Sequence, residues 1–404
     1  MSHDRLDDAL GAELEELNEA GTAKGTEKVI ETVVEPRAGL GRRHLLAGVG
    51  GEFLRMNSNS YLGLSHHPAV IDSDERASRQ FGAGPGAVRF VSGTFQPHID
   101  LEARLAAFHG REACAVFSSA YAAVISTLVP LVTGETVVFS DELNHNCIIN
   151  ALRLARPMIR EVYPHLDYDA LDAGLGAADG SAQRAIVVTD GVFSMRGDHA
   201  DLSIIAEIAD RHDGAFSQNV VVVVDDSHGV GAFGETGRGT EEVSGARCDV
   251  LIGTLGKAFG VNGGYVASSG VVIDYLREKG LMYVYSNPIT PGEAAAADTA
   301  VSIVDSSEGQ ELLAHLARMT ERFENGLVDA GLETIPGPHP VVPLMVRDTG
   351  GTADLVDHLY RNEILATGLN YPVVPKGDEE IRFQISADHT PADIDYVLEV
   401  LAGF

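Results

Sequence analysis

The chain is 404 residues long and 45% hydrophobic, enough to bury a large core and to fill two domains. Its formal charge of −30 argues against broad contact with a nucleic-acid backbone, and no apolar run approaches membrane-spanning length. Three widely spaced cysteines, Cys114, Cys147 and Cys248, lack zinc-type or CxxC pairing and read as ordinary thiols of a reducing compartment.

In chain order, Leu6, Leu10, Leu14 and Leu17 recur at helical spacing and predict an amphipathic helix over residues 1–20. This segment lacks the basic start and apolar core of a signal peptide, so a soluble cytoplasmic protein is expected. A more irregular arm should run to about residue 50. Strand candidates follow as β-branched, continuously apolar runs at 113–119, 136–141, 185–191, 220–226 and 250–254, the pattern of strands covered on both faces. Helical segments such as LEARLAAFHG and DLSIIAEIADRH alternate with them, which predicts an α/β fold with a mostly parallel sheet. Proline punctuation at SNPITP opens a long helix toward residue 305. Beyond it, helices and strands alternate again through EIRFQIS to a final helix from about Pro391. The expected division is an N-terminal helix and arm over 1–55, a large domain over 56–299 and a smaller α+β domain over 300–404.

Acidic residues, 59 against 29 basic ones, are scattered along the whole length. This suggests a protein of a high-salt cytoplasm, where screening relieves the self-repulsion of an acidic surface.

In open α/β sheets, ligands sit at the carboxyl ends of the strands. Here those ends carry chemistry. VLIGT ends in Thr254 and leads to Lys257, one of five lysines in a chain that otherwise uses arginine. A desolvated lysine can lose its proton and attack a carbonyl as a free amine, which arginine cannot do, so Lys257 reads as a Schiff-base lysine. VVVVVDD delivers Asp225 and, three residues on, His228; AIVVTDG leads to Ser194; TVVFSDELNH delivers His145. AVFSS leads to Ala120 and Tyr121 at a helix start, where free N–H groups can hold a phosphate. A lysine for an aldehyde, a carboxylate for a ring nitrogen and donors for a phosphate suit pyridoxal 5'-phosphate (PLP). Taken singly, Asp225 could cap a loop, the histidines could be structural and Lys257 could be a surface lysine. Their order on successive strands makes the joint reading the stronger one.

At these residues the chain resembles the α-oxoamine synthases, fold-type I PLP-dependent transferases that join an amino acid to an acyl-CoA. The resemblance runs from about residue 30 to the end. It is carried by NSNSYLGL (57–64), GAVRFVSGT (86–94), DELNHNCII (141–149), TDGVFSMRGD (189–198), VDDSHGVGAFGETGRG (224–239), GTLGKAFG (253–260) and YSNPITP (285–291). It implies that Lys257 bonds the cofactor aldehyde, Asp225 pairs with the pyridinium nitrogen, and His228 and Ser194 lie at the ring's phenolic oxygen. His145 would stack on the ring, while Ala120, Tyr121 and Thr254 would hold the phosphate. Ser286 and Asn287 would reach the phosphate of a partner subunit, which makes a homodimer necessary. Arg382 would clamp the substrate carboxylate, where a planar fork suits bidentate pairing, and Asn59 would line the substrate side.

TDGVFSM and YPVVPKG are most similar to the glycine C-acetyltransferase branch of the family. The resemblance therefore implies glycine and acetyl-CoA as substrates and 2-amino-3-oxobutyrate as product, with threonine breakdown as the reverse direction. The nearest alternative is a family member using alanine or serine with a longer acyl-CoA.

Overall fold

The computed structural model describes residues 3–19, 22–23, 25–371 and 373–404. Among these residues a seven-stranded sheet forms the centre. Its order is Ala113–Phe117, Gly264–Ser268, Val250–Thr254, Val220–Asp225, Arg184–Asp190, Thr136–Asp141, Ile159–Tyr163. Pairing is parallel except at Gly264–Ser268, which runs antiparallel to both neighbours. Both faces are covered. Val223 packs with Ile252 and Val266 in one apolar layer, while Val222 and Val224 pack with Leu251 in another. That two-sided burial explains why these strands read as unbroken apolar runs.

The expected α/β architecture is present, and the five strands anticipated are all there. Two strands of the sheet carry weaker signals. Ile159–Tyr163 is an edge strand with four exposed residues, and its Arg160 and Glu161 break the apolar run. Gly264–Ser268 is fully buried but built largely of small residues, and it follows directly on the turn that holds Lys257.

The N-terminal arm differs from expectation. Ile30–Val34, Arg43–Leu46 and Val49–Arg55 form an antiparallel meander, and Ile364–Leu365 adds to it in parallel. Ala47 and Gly48 make the tight connection, with Gly48 at φ 72°, a conformation glycine adopts without a Cβ clash. The helix before it spans Asp4–Glu19 and buries nothing; Leu6, Leu10, Leu14 and Leu17 are all exposed. Residues 1, 2 and 20 of the anticipated helix lie outside the described residues.

After the helix Pro291–Val304 come Ser307–Asp329, a three-stranded antiparallel sheet (Val341–Met345, Glu380–Gln384, Thr367–Leu369) and the closing helix Pro391–Ala402. Phe259, Ala300 and Phe383 share one apolar cluster, so the core continues across residue 300. No helix among the described residues is long and apolar enough to cross a membrane.

Candidate active site

The carboxyl ends of the parallel strands meet at a cavity of about 100 Å³. Lys257, Asp225, His228 and Thr254 reach it from two adjacent strand ends, and His145 and Ser194 from two others. Ala120 and Tyr121 close it at the start of the helix Ala120–Leu131. Eight of the anticipated residues are thus brought together around one space.

Each position has a local cause. Ser119 caps its helix by accepting from Ala122 N, and its carbonyl accepts from Ala123 N. The preceding amides, of Ala120 and Tyr121, find no acceptor among the described residues and remain as donors at the positive end of the helix. A Cβ on Gly264 would sit 2.2 Å from Ala120 N, so this strand must carry glycine for the helix start to come so close. Thr254 Oγ1 donates to Gly263 O and accepts from Gly256 N, both at 3.2 Å, fixing the turn that presents Lys257.

Asp225 is held rigidly on one side. Its Oδ1 accepts from Ser227 Oγ at 2.5 Å and from Ser227 N at 3.2 Å. Among the described residues its Oδ2 meets only the Cys147 thiol, at 3.5 Å, so a buried carboxylate oxygen faces the cavity without a strong donor. Burial is the main cause that lowers the Lys257 pKa to about 8; Asp225 and Asp190 partly offset it, and Arg382 adds to the lowering. A fraction of this lysine is therefore a free amine near neutral pH. Burial also holds the His228 and His145 pKa values below the ordinary histidine value, with the Lys257 and Arg382 charges adding to it.

Several contributors gave no signal in the sequence. Tyr61 OH lies 2.7 Å from His228 Nδ1 and links that ring to Asn59 Oδ1 at 3.4 Å. Asp190 Oδ2 accepts from His145 N at 2.9 Å and fixes the loop that carries the imidazole; burial, then Asp225, pushes its pKa well up. Cys147 lines the cavity with its Sγ 2.9 Å from His145 Nδ1. All three cysteines are free and buried, as the sequence suggested, but this one sits beside the chemistry.

Arg382 lies next to the cavity, half-buried, with Nη1 donating to Ser194 O at 3.1 Å. The Gln384 side chain stands between it and Asn59: the amide is 3.1 Å from Asn59 Oδ1, and its turned orientation accepts from Arg382 Nη2 at 2.9 Å and Nε at 3.0 Å. Ser286 and Asn287 do not line this chain's cavity. Ser286 is half-buried and Asn287 exposed, beside the exposed ring of Tyr285.

His145 and Ser194 also open onto a larger groove of about 840 Å³. Its walls are mostly apolar, with Leu143, Ile149, Met195 and Met345 facing Tyr371 and Val373. Asn144 and Glu380 are buried polar exceptions; burial raises the Glu380 pKa to about 8, and its Oε1 has no hydrogen-bond partner among the described residues. Among the described residues no cluster of His, Cys, Asp and Glu could hold a metal ion.

The residues present fit PLP. A depressed lysine, an acceptor oxygen without a strong donor, and two open helix-end amides are the complements of an aldehyde, a protonated ring nitrogen and a phosphate.

Comparison with known proteins agrees. The family model "Aminotransferase class I and II" matches residues 52–401. Bovine mitochondrial 2-amino-3-ketobutyrate coenzyme A ligase is 38% identical over 394 residues, covering 96% of this chain and 90% of the relative. 8-Amino-7-oxononanoate synthase 1 of Bacillus velezensis is 39% identical over 354 residues, covering 87% and 88%. Among solved structures, SPT with its PLP internal aldimine matches with a TM-score of 0.89 at 26% identity, covering 100% of this chain and 98% of the other. The chain belongs to the α-oxoamine synthase family, fold-type I PLP-dependent acyltransferases that act on an amino acid and an acyl-CoA.

Proposed function

We propose that the enzyme acylates the α-carbon of glycine with acetyl-CoA, giving 2-amino-3-oxobutyrate and CoA, and that it also runs in reverse during threonine breakdown. The observation that carries the acyl-transfer reading is the junction at His145 and Ser194 of a lysine-centred cavity with a groove able to take a thioester. The choice of glycine and acetyl-CoA is supported by the length of the match to 2-amino-3-ketobutyrate CoA ligases, 96% of this chain against 87% for the oxononanoate synthase.

Lys257, Asp225, His228, His145, Ser194 and Thr254 are the residues we assign to PLP, with the amides of Ala120 and Tyr121 at its phosphate. Bound there, PLP supplies an electron sink for charge developing at the amino acid's α-carbon. Arg382 holds the substrate carboxylate bidentately, and Asn59 flanks it. The neutral Lys257 amine takes the α-proton, a role its lowered pKa favours. The α-carbon then bonds to the thioester carbonyl carbon, the C–S bond breaks, and CoA leaves. Asp225, fixed by Ser227, would hold a proton on the ring nitrogen, and the Tyr61–His228 pair would orient the imidazole toward the phenolic oxygen.

We further assign Ser286 and Asn287 to a partner subunit's phosphate, in a homodimer. Their absence from this chain's own cavity supports this, as do the exposed apolar side chains of Tyr285, Phe90 and Val91. The division near residue 300, cytoplasmic location and adaptation to high salt complete the reading; the charge of −30 supports the last.

The groove favours a second reading. An acetyl group needs little of 840 Å³ of mostly apolar space, whereas a longer acyl chain would fill it. A matrix of glycine, alanine and serine against acetyl-, pimeloyl- and palmitoyl-CoA, followed by CoA release in high-salt buffer, separates the two. Highest kcat/KM with glycine and acetyl-CoA supports the first reading; preference for a long thioester replaces it with the second.

A further inference from the structure

A separate cavity of about 30 Å³ shares no lining residue with the cofactor cavity or the groove. Arg42, His44 and Arg55 converge on it from the N-terminal meander, and Ser58 and Ser60 reach it from the loop that carries Asn59. In a chain with twice as many acidic as basic side chains, this concentration of cations is unusual.

The cations are also poorly matched. Arg43 and Arg89, largely buried elsewhere, meet Asp393 at 2.5 Å and Glu102 at 2.9 Å. Arg55 is half-buried, its pKa is lowered by desolvation, and no carboxylate among the described residues lies within ion-pair distance of it. His44 is only 5% exposed and bonds the Phe53 backbone, yet its Nδ1 has no hydrogen-bond partner among the described residues. Arg42 Nε is likewise buried without one: Asp388 Oδ2 is 3.7 Å away, and Glu35 engages Nη1 instead, at 2.7 Å. Asp388 is the one carboxylate lining the cavity, and Arg42 offsets it. His389 is already satisfied, with Nε2 at 3.1 Å from Arg55 O and Nδ1 accepting from Ser386 N at 3.1 Å. Buried polar atoms left unpaired are costly, and here two of them, His44 Nδ1 and Arg42 Nε, lie beside the half-buried charge of Arg55 around one small space.

We propose that this cavity is a binding site for one small inorganic anion of the halide class. Arg55 and Arg42 Nε supply the charge, and His44, protonated when the anion binds, presents Nδ1–H in addition to the bond its ring makes to the Phe53 backbone. By this measure a water molecule needs at least ~10–15 Å³, so the space admits a monatomic anion. Burial and the neighbouring Arg55 charge push the His44 pKa down to about 4, and an anion between the two groups removes that repulsion. The site bears on the substrate side: Ser58 Oγ accepts from Ser60 N at 3.2 Å, and Ser386 Oγ donates to Ser60 O at 2.9 Å. A bound anion thus braces the loop that presents Asn59 and Tyr61.

The test uses the holoenzyme at constant sodium concentration, with gluconate replaced stepwise by chloride or bromide. Site binding predicts a saturable rise in Tm of about 2 °C, lost in both Arg55→Met and His44→Leu. It also predicts an anomalous peak in the cavity of a bromide-soaked crystal. A rise that does not saturate and persists in the variants is a general salt effect and overturns the proposal, as does an empty cavity in bromide. Should Arg55→Met fail to fold, His44→Leu and the bromide peak decide.

Discussion

The cofactor cavity and the groove beside it share His145 and Ser194 but are built on different principles. The cavity is made of strand ends. Asp225 and Thr254 stand where parallel strands stop, each locked by neighbours within ten residues, and Lys257 follows in the turn that Thr254 fixes. The groove draws its walls from the loop after Thr136–Asp141, the loop around Met195, the strand Val341–Met345 and the 371–380 segment. A site of the first kind holds fixed charges at fixed distances, as charge development in a reaction requires. One of the second kind sets volume, and its dimensions change with single side chains. Chemistry is therefore anchored in the sheet and substrate choice in the loops.

The largest effect should come from removing the amine at the centre of the cavity. Lys257→Ala is expected to lower acyl transfer by at least ~1,000-fold and to remove the absorbance of lysine-bound PLP. The same amine gives a pH signature. Because burial lowers its pKa to about 8, PLP capture by the cofactor-free protein should accelerate as pH rises through about 8 and then level off. A flat rate between pH 6.5 and 9.5 would contradict a free-amine role.

Asp225→Asn should follow, at roughly 100-fold in kcat, since the neutral amide no longer favours a protonated ring nitrogen. PLP should remain bound through Lys257 and the helix-end donors, so the loss falls on kcat more than on cofactor occupancy. Titrating PLP into the variant separates these outcomes.

The groove should respond to volume while the cavity does not. Val373→Trp fills space on a loop, 41% exposed, away from the assigned PLP contacts. It is expected to lower kcat/KM for a long acyl-CoA by about 10-fold relative to acetyl-CoA, with the absorbance of bound PLP unchanged. Equal loss with both thioesters would mean that the groove does not house the acyl chain.

Legibility in the sequence follows the same boundary. Strand ends could be read because covered parallel strands are long apolar runs, and a polar residue at their end stands out. Lys257, Asp225, His228 and His145 were all visible in this way. Tyr61 and Gln384 were not, because their partners lie 167 and 325 residues away and no local pattern encodes that distance. The antiparallel strand Gly264–Ser268 was hidden by its small residues, since GYVAS has one β-branched side chain, and the N-terminal meander by glycines and charges that mimic an irregular arm. The NYPVVPKG segment was recognisable by resemblance, but nothing in its residues announced that Tyr371 and Val373 would face Met345.

The smallest predicted effect tests whether two adjacent carboxylates have separate duties. Asp226 follows Asp225 but points away from the cavity lining, into a cradle where a Cβ on Gly191 or Gly229 would lie 2.2 Å from its Oδ1. It accepts from Thr240 N at 2.7 Å and Thr240 Oγ1 at 2.6 Å. Asp226→Asn keeps the shape but sets an amide N–H against one of these donors, so unfolding should become easier by about 1–3 kcal/mol. The pH dependence gives the sign. Burial raises the folded pKa from 3.8 to about 7, so between those values the folded state holds a proton that the unfolded chain has released. The contribution of this group to stability therefore grows as pH falls from 7 to 5, and the gap between the parent and Asp226→Asn in urea titrations should widen over that range. Turnover of the folded variant should match the parent, because the cavity meets Asp225 and not its neighbour. A large fall in kcat with unchanged stability would instead make the two carboxylates a single catalytic unit.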